Sequence, residues 1–97
     1  MSEVKVVALI VAKPEYRDAV GKATRAMLKP SRSEPGCIQY DLHEEQDKPG
    51  HFVFLERWKS AQALEEHMAM PYHDDFLAEL DGKLEKLEVK KLTDIEG

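Results

Sequence analysis

Residues 37–58, CIQYDLHEEQDKPGHFVFLERW, hold two alternating runs joined by a short polar link, and their reading decides the fold. In the first run Ile38, Tyr40 and Leu42 face one way, and Cys37, Gln39, Asp41 and His43 face the other. In the second, Phe52, Phe54, Glu56 and Trp58 share one side, opposite Val53, Leu55 and Arg57. The link EEQDKPG has the composition of a turn, so the segment reads as a β-hairpin of strands 37–43 and 51–58.

Each side of the hairpin carries one helical region and one strand. Upstream, VKVVALIVA at 4–12 is a β-branched strand with burial on both faces. Pro14 then opens a helix over 15–29, where Tyr16, Val20, Ala23 and Met27 recur along one face, and Pro30 with SRSEPG ends it. Downstream, Ser60 caps a helix over 61–68, and Pro71 interrupts it or starts a further short helix through Leu80. Asp81 and Gly82 turn the chain into a last strand over 83–93, with Leu87 and Val89 on one face and Leu84 and Leu92 on the other. That imperfect alternation is compatible with a bulge or with burial on both faces. The order is βαββαβ, an α+β fold of the ferredoxin-like type with an antiparallel sheet, in a single domain over 1–97.

A chain of 97 residues has room for one core. Helices on one side of the sheet leave the other uncovered, yet both faces carry large apolar groups. Burying each such side chain is worth about 1.5–3 kcal/mol, so a second copy packed face to face is expected to cover them. In that arrangement the outer face forms the dimer core and encloses a cavity.

With 14 basic and 19 acidic side chains the net charge is −5, which disfavours nucleic-acid binding because a phosphate backbone calls for a basic face. The single cysteine, Cys37, excludes an intrachain disulfide and reads as a small buried apolar residue. The start MSEVKV lacks an apolar signal core, and no segment approaches the roughly 20 apolar residues that span a bilayer, so a cytoplasmic location away from membranes is expected.

Residues 31–76 carry a more specific pattern: Glu34, Gly36 and Tyr40; the run Glu56, Arg57, Trp58; and His67 followed by Pro71 and His73. In these motifs the chain resembles the antibiotic biosynthesis monooxygenase family, especially its small quinol-monooxygenase-like members. The resemblance implies a dimeric α/β barrel with one cavity per subunit. It also implies oxidation of a quinol-like or phenolic compound by dioxygen with no cofactor, neither flavin, haem nor metal. The chain has no asparagine, and so lacks the first-strand asparagine of haem-degrading relatives and the one associated with polyketide-anthrone oxygenases.

Within that frame His67 is the candidate proton acceptor, since a phenolate gives an electron to dioxygen more readily than a phenol. Glu56, among aromatics, is its orienter or an alternate base; a structural ion pair is the other reading. Trp58, Phe54, Tyr40, Tyr72 and His73 are pocket candidates, each also readable as core or surface. Arg32 is a candidate contact for an anionic substituent, and Arg57 is expected to pair with Glu34 or another acid. His67 and His73 lie six residues apart across a proline, which is not a helical metal-ligand pair. Two alternatives stay open: an isomerase of a small carbonyl or phosphorylated sugar compound, and a dimer that binds a small ligand without turnover.

Overall fold

The computed structural model describes residues 2–95. Strand β1 (Val4–Ala12) is followed by a single 3₁₀ turn (Pro14–Tyr16), helices α1 (Arg17–Ala26) and α2 (Leu28–Arg32), and the hairpin β2 (Cys37–Glu44) and β3 (His51–Trp58). Helices α3 (Ala61–Met68) and α4 (Pro71–Leu80) and strand β4 (Leu84–Leu92) complete the order. The single helix expected over 15–29 is thus broken at Met27. Pro30 does not end it but sits in the first turn of α2, where a missing N–H costs no intrahelical bond. Ser60 caps α3 by accepting the Ala63 N–H at 3.1 Å.

The sheet is antiparallel in the order β2-β3-β1-β4, with Val6 opposite Glu56 on β3 and Lys91 on β4. Its inner face buries Val6, Ala8, Ile10 and Ala12 of β1 and Phe52, Phe54 and Trp58 of β3 beneath Val20, Ala23 and Met27 from the first helical region and Leu64, Phe76 and Leu80 from the second. The outer face carries Val7, Leu9 and Val11 beside Val53 and Leu55, with Leu55 exposed.

The expected dimeric α/β barrel is corrected at the level of the sheet. Strands β2 and β4 are edges with two strands between them, so the sheet is open. Closure needs the edge strands to hydrogen-bond to each other, and here β2 pairs with β3 and β4 with β1.

Two bulges change which residues share a face. Cys37 pairs with Trp58 and Gln39 with Arg57, leaving Ile38 as the extra residue. Cys37 therefore joins Tyr40 and Leu42 on the core side, whereas Ile38, expected beside them, is exposed. In β4 the register shifts between the Lys86 pair with Val11 and the Leu84 pair with Ala12, so Glu85 is extra and Leu84 moves to the face of Leu87 and Val89.

Gly36 fixes the approach of α3 to the hairpin. Its carbonyl accepts the Lys59 N–H at 2.9 Å, and a Cβ at this position would lie 2.4 Å from the Ala63 Cβ. Gly36→Ala is therefore expected to destabilise the protein by about 1–3 kcal/mol, the usual cost of overpacking. Urea unfolding should show Ala63→Gly restoring part of that loss in the double variant, although it weakens the helix on its own.

Candidate active site

Period-2 alternation places Glu56 and Trp58 on the core face of β3, and α3 turns Ala63, Leu64 and His67 inward above them. Trp58 is fully buried and His67 is 2% exposed; their rings lie 4.4 Å apart at 32°. The indole N–H of Trp58 donates to Glu56 Oε1 at 2.9 Å, which satisfies one oxygen of a carboxyl that is otherwise among apolar groups. Burial pushes the Glu56 carboxyl up to about 7, against the smaller opposing effect of the Trp58 bond.

The partner that orients His67 is Glu34, not Glu56. Glu34 lies in the turn between α2 and β2, is buried, and stands 2.7 Å from His67 Nδ1 through Oε2. The hydroxyl of Tyr72, at the start of α4, donates to the same oxygen and also lies 3.3 Å from Ser31 Oγ. Burial, and then the bond to Glu34, holds the Tyr72 phenol well above its ordinary range, so it serves as a neutral donor. Of the two partners expected for Arg57, Glu34 or another acid, the structure gives the second: a bidentate pair with Glu3, at 2.7 and 3.0 Å. Glu34 stood out as part of a motif and as an expected partner of Arg57, not as a partner of His67. Its distance of 33 residues from His67 left no local pattern that joins the two.

A cavity of about 180 Å³ opens between the inner sheet face and helices α3 and α4. Among the candidates from the sequence, Tyr40, Phe54, Glu56, His67 and His73 line it. Trp58 stands behind this wall, supporting Glu56 and His67. The cavity's position corrects the expectation that the outer sheet face would enclose it: the helices, which supply His67 and His73, roof it over the inner face.

The remaining candidates lie elsewhere. Tyr72 lines a separate cleft of about 350 Å³ with Ala23 and Met27 of the first helical region and Asp75 and Glu79 of α4. Arg32 donates to the Tyr40 carbonyl at 2.9 Å and to Asp41 Oδ1 at 3.1 Å, bracing the middle of β2. Burial, followed by the nearby Glu34 and Glu56, pushes the Cys37 thiol up, which disfavours the reactive thiolate.

His73 adds a second imidazole, its ring 5.0 Å from that of His67. Its Nδ1 is buried without a hydrogen-bond partner, and burial followed by the charge of His67 lowers its affinity for a proton. The Tyr40 phenol is held far above its ordinary range by burial and then by Glu56. The cavity thus combines a carboxyl near neutrality with an imidazole fixed by a carboxylate, in surroundings that are mostly carbon. Among the described residues no group of three or more His, Cys, Asp or Glu side chains is placed to hold a metal ion, and no helix is long and apolar enough to cross a membrane.

Comparison with known proteins accords with this architecture. Residues 3–79 match the family described as antibiotic biosynthesis monooxygenase. Rv0793 of Mycobacterium tuberculosis, which carries a monooxygenase name, is 38% identical over 79 residues, 81% of this chain and 77% of that protein. Its solved structure superposes with a TM-score of 0.92 at 34% identity, covering 99% of this chain and 98% of that one. The structure of PA3566 from Pseudomonas aeruginosa gives a TM-score of 0.93 at 29% identity, over 99% and 97% of the two chains. A longer Synechocystis protein is 35% identical over 70% of this chain, a match that spans 46% of its own length. The chain belongs to the antibiotic biosynthesis monooxygenase family.

Proposed function

We propose that the protein is a monooxygenase that oxidises a phenolic or quinol-like small molecule with dioxygen and uses no bound redox group. The observation that carries this reading is the Glu34–His67 pair at the wall of an apolar cavity that also holds Glu56. A carboxylate at Nδ1 favours the neutral tautomer with its proton on that nitrogen, which leaves the Nε2 lone pair as the base. Glu34 then stabilises the imidazolium formed when Nε2 takes the phenolic proton.

The chemistry needs little more from the protein. Ground-state dioxygen is a triplet and reacts slowly with closed-shell molecules, but a phenolate can give it one electron. The resulting phenoxyl radical and superoxide combine at a ring C–H carbon, and the imidazolium returns its proton to the peroxide. Loss of the carbon-bound proton with cleavage of the O–O bond gives a carbonyl and water, so one phenol and one dioxygen become one quinone and one water. A protonated Glu56, which lines the same cavity as His67, donates a hydrogen bond to the oxygen that gains charge.

The protein acts as a homodimer in this reading, because Val7, Leu9, Val11, Val53 and Leu55 make a continuous apolar row on the outer sheet face. Leu55→Asp is expected to yield monomers in sedimentation equilibrium, and an unchanged dimer would place the contact elsewhere.

Oxygen-electrode assays with hydroquinones and naphthoquinols should show uptake by chelator-treated protein. His67→Ala should lower kcat/KM by about 10²–10⁴-fold, the usual contribution of a general base. Glu34→Gln should lower kcat more than it raises KM. Absence of uptake with every phenol tested would sink the oxygenase reading.

Glu56 gives the pH dependence. Activity should fall as its carboxyl ionises above pH 7, whereas Glu56→Gln, which still donates, should stay level there. The folded-state value of about 7 lies above the reference of 4.5, so between these values the folded state binds more protons than the unfolded one. This group's contribution to stability is full below pH 4.5 and is lost as pH rises to about 7, by roughly 3 kcal/mol on linkage. Urea titrations across that range should therefore show Glu56→Gln gaining relative to wild type as pH rises.

A further inference from the structure

The cavity is small, and it does not end in a polar mouth. Its volume of about 180 Å³ falls below the ~300 Å³ at which ordinary small-molecule sites begin, and is close to the ~150 Å³ apolar cavity that takes up one benzene ring. It therefore has room for one ring and little else. Among the described residues nine large apolar side chains are exposed, and four of them, Met68, Leu77, Leu87 and Val89, line this one cavity. They are 40%, 42%, 48% and 49% exposed respectively, so each has one part in the cavity and one in water. Scattered exposed apolar groups need no explanation, but four gathered at the mouth of an apolar cavity do.

The register shows how the enclosed end and the rim are connected. On the inner face Glu56 lies opposite Val6, and Phe54 opposite Ala8, which in turn faces Val89 on the edge strand. Strands lie about 4.8 Å apart, so the path from β3 to β4 is about 10 Å. It runs from the polar groups, Glu56 and His67, over Val6 and Ala8 to Leu87 and Val89. Polarity falls along it, and the small side chain of Ala8 keeps its floor low.

We infer that the substrate is a single-ring phenol or hydroquinone bearing an aliphatic side chain, with the ring in the cavity and the chain laid across Met68, Leu77, Leu87 and Val89. This substrate class rests on the oxygenase reading above for the identity of the ring and on the rim alone for the chain. The chain covers the exposed faces of the rim and excludes water from the mouth. A fused tricyclic phenol exceeds the enclosed volume.

The test uses 2-alkylhydroquinones from methyl to octyl, with binding measured by calorimetry under nitrogen and oxygen uptake measured in air. Affinity should rise about twofold per methylene, half of the roughly fourfold that complete burial gives, and level off once the chain passes β4. Leu77→Ser with Val89→Ser should flatten that slope, which is read across the series and is independent of any loss common to all its members. The single variants Leu77→Ser and Val89→Thr replace the pair if it fails to fold.

A flat slope in the wild type overturns the inference, as does a slope that the rim variants leave untouched or a tricyclic phenol that binds more tightly than any member of the series. A flat slope together with rim variants that sediment as a smaller species overturns it by making the rim a contact between copies. If the methyl compound is oxidised but the slope is flat, the chain is wrong and the oxygenase stands. If the slope and its loss are seen without oxygen uptake, the chain-binding rim stands and the oxygenase falls.

Discussion

A carboxylate removed from water must be met by donors, and the rest of the structure is arranged around meeting that need for Glu34. It is buried in the turn that follows α2, and two of its donors come from the far half of the chain: His67 from α3 and Tyr72 from α4. Leaving such a group unpaired costs far more than an ordinary hydrogen bond contributes, so the turn and the two helices are bound to a single geometry. The helices therefore cannot slide over the sheet independently. His67 in turn stacks on Trp58, whose indole holds Glu56. One buried charge thus sets the position of an imidazole, an indole and a second carboxyl.

The two carboxyls of the site share burial but differ in partners. Glu34 has an imidazole and a phenol at one oxygen, whereas Glu56 has a single indole N–H. At Glu56 desolvation prevails over that one bond, which is why its carboxyl sits near neutrality. Divergent environments for two like groups are a common way to obtain two roles from one residue type. Here they separate a group that steadies a base from one that can hold or release a proton.

The order of strands and helices was legible in the sequence from the β-branched run over 4–12, the alternation over 51–58, the helical spacing after Pro14 and the Ser60 cap. The inward turn of Glu56 and Trp58 followed from the same period of two. What escaped was whatever broke a period or crossed the chain. Ile38 reads as core until a single extra residue turns it outward and brings Cys37 in, and Glu85 does the same for Leu84. Such bulges arise from pairing between strands, which one strand's pattern cannot reveal. The Glu34–His67 contact belongs to the same class, since a turn and a helix 33 residues apart are brought together only by the tertiary fold. The barrel was read from resemblance, and the order β2-β3-β1-β4 leaves it open.

The division between a closed catalytic end and an exposed apolar rim also bears on how such a protein diversifies. Met68, Leu77, Leu87 and Val89 are half in solvent, so replacing them disturbs packing far less than replacing Trp58 or His67, which are fully enclosed. Mutational drift at the rim is thus nearly free in folding terms, while drift at the enclosed end is not. A lineage carrying this scaffold can exchange one preferred molecule for another by changes at the edge strand and the facing helices, with the proton-handling centre inherited intact.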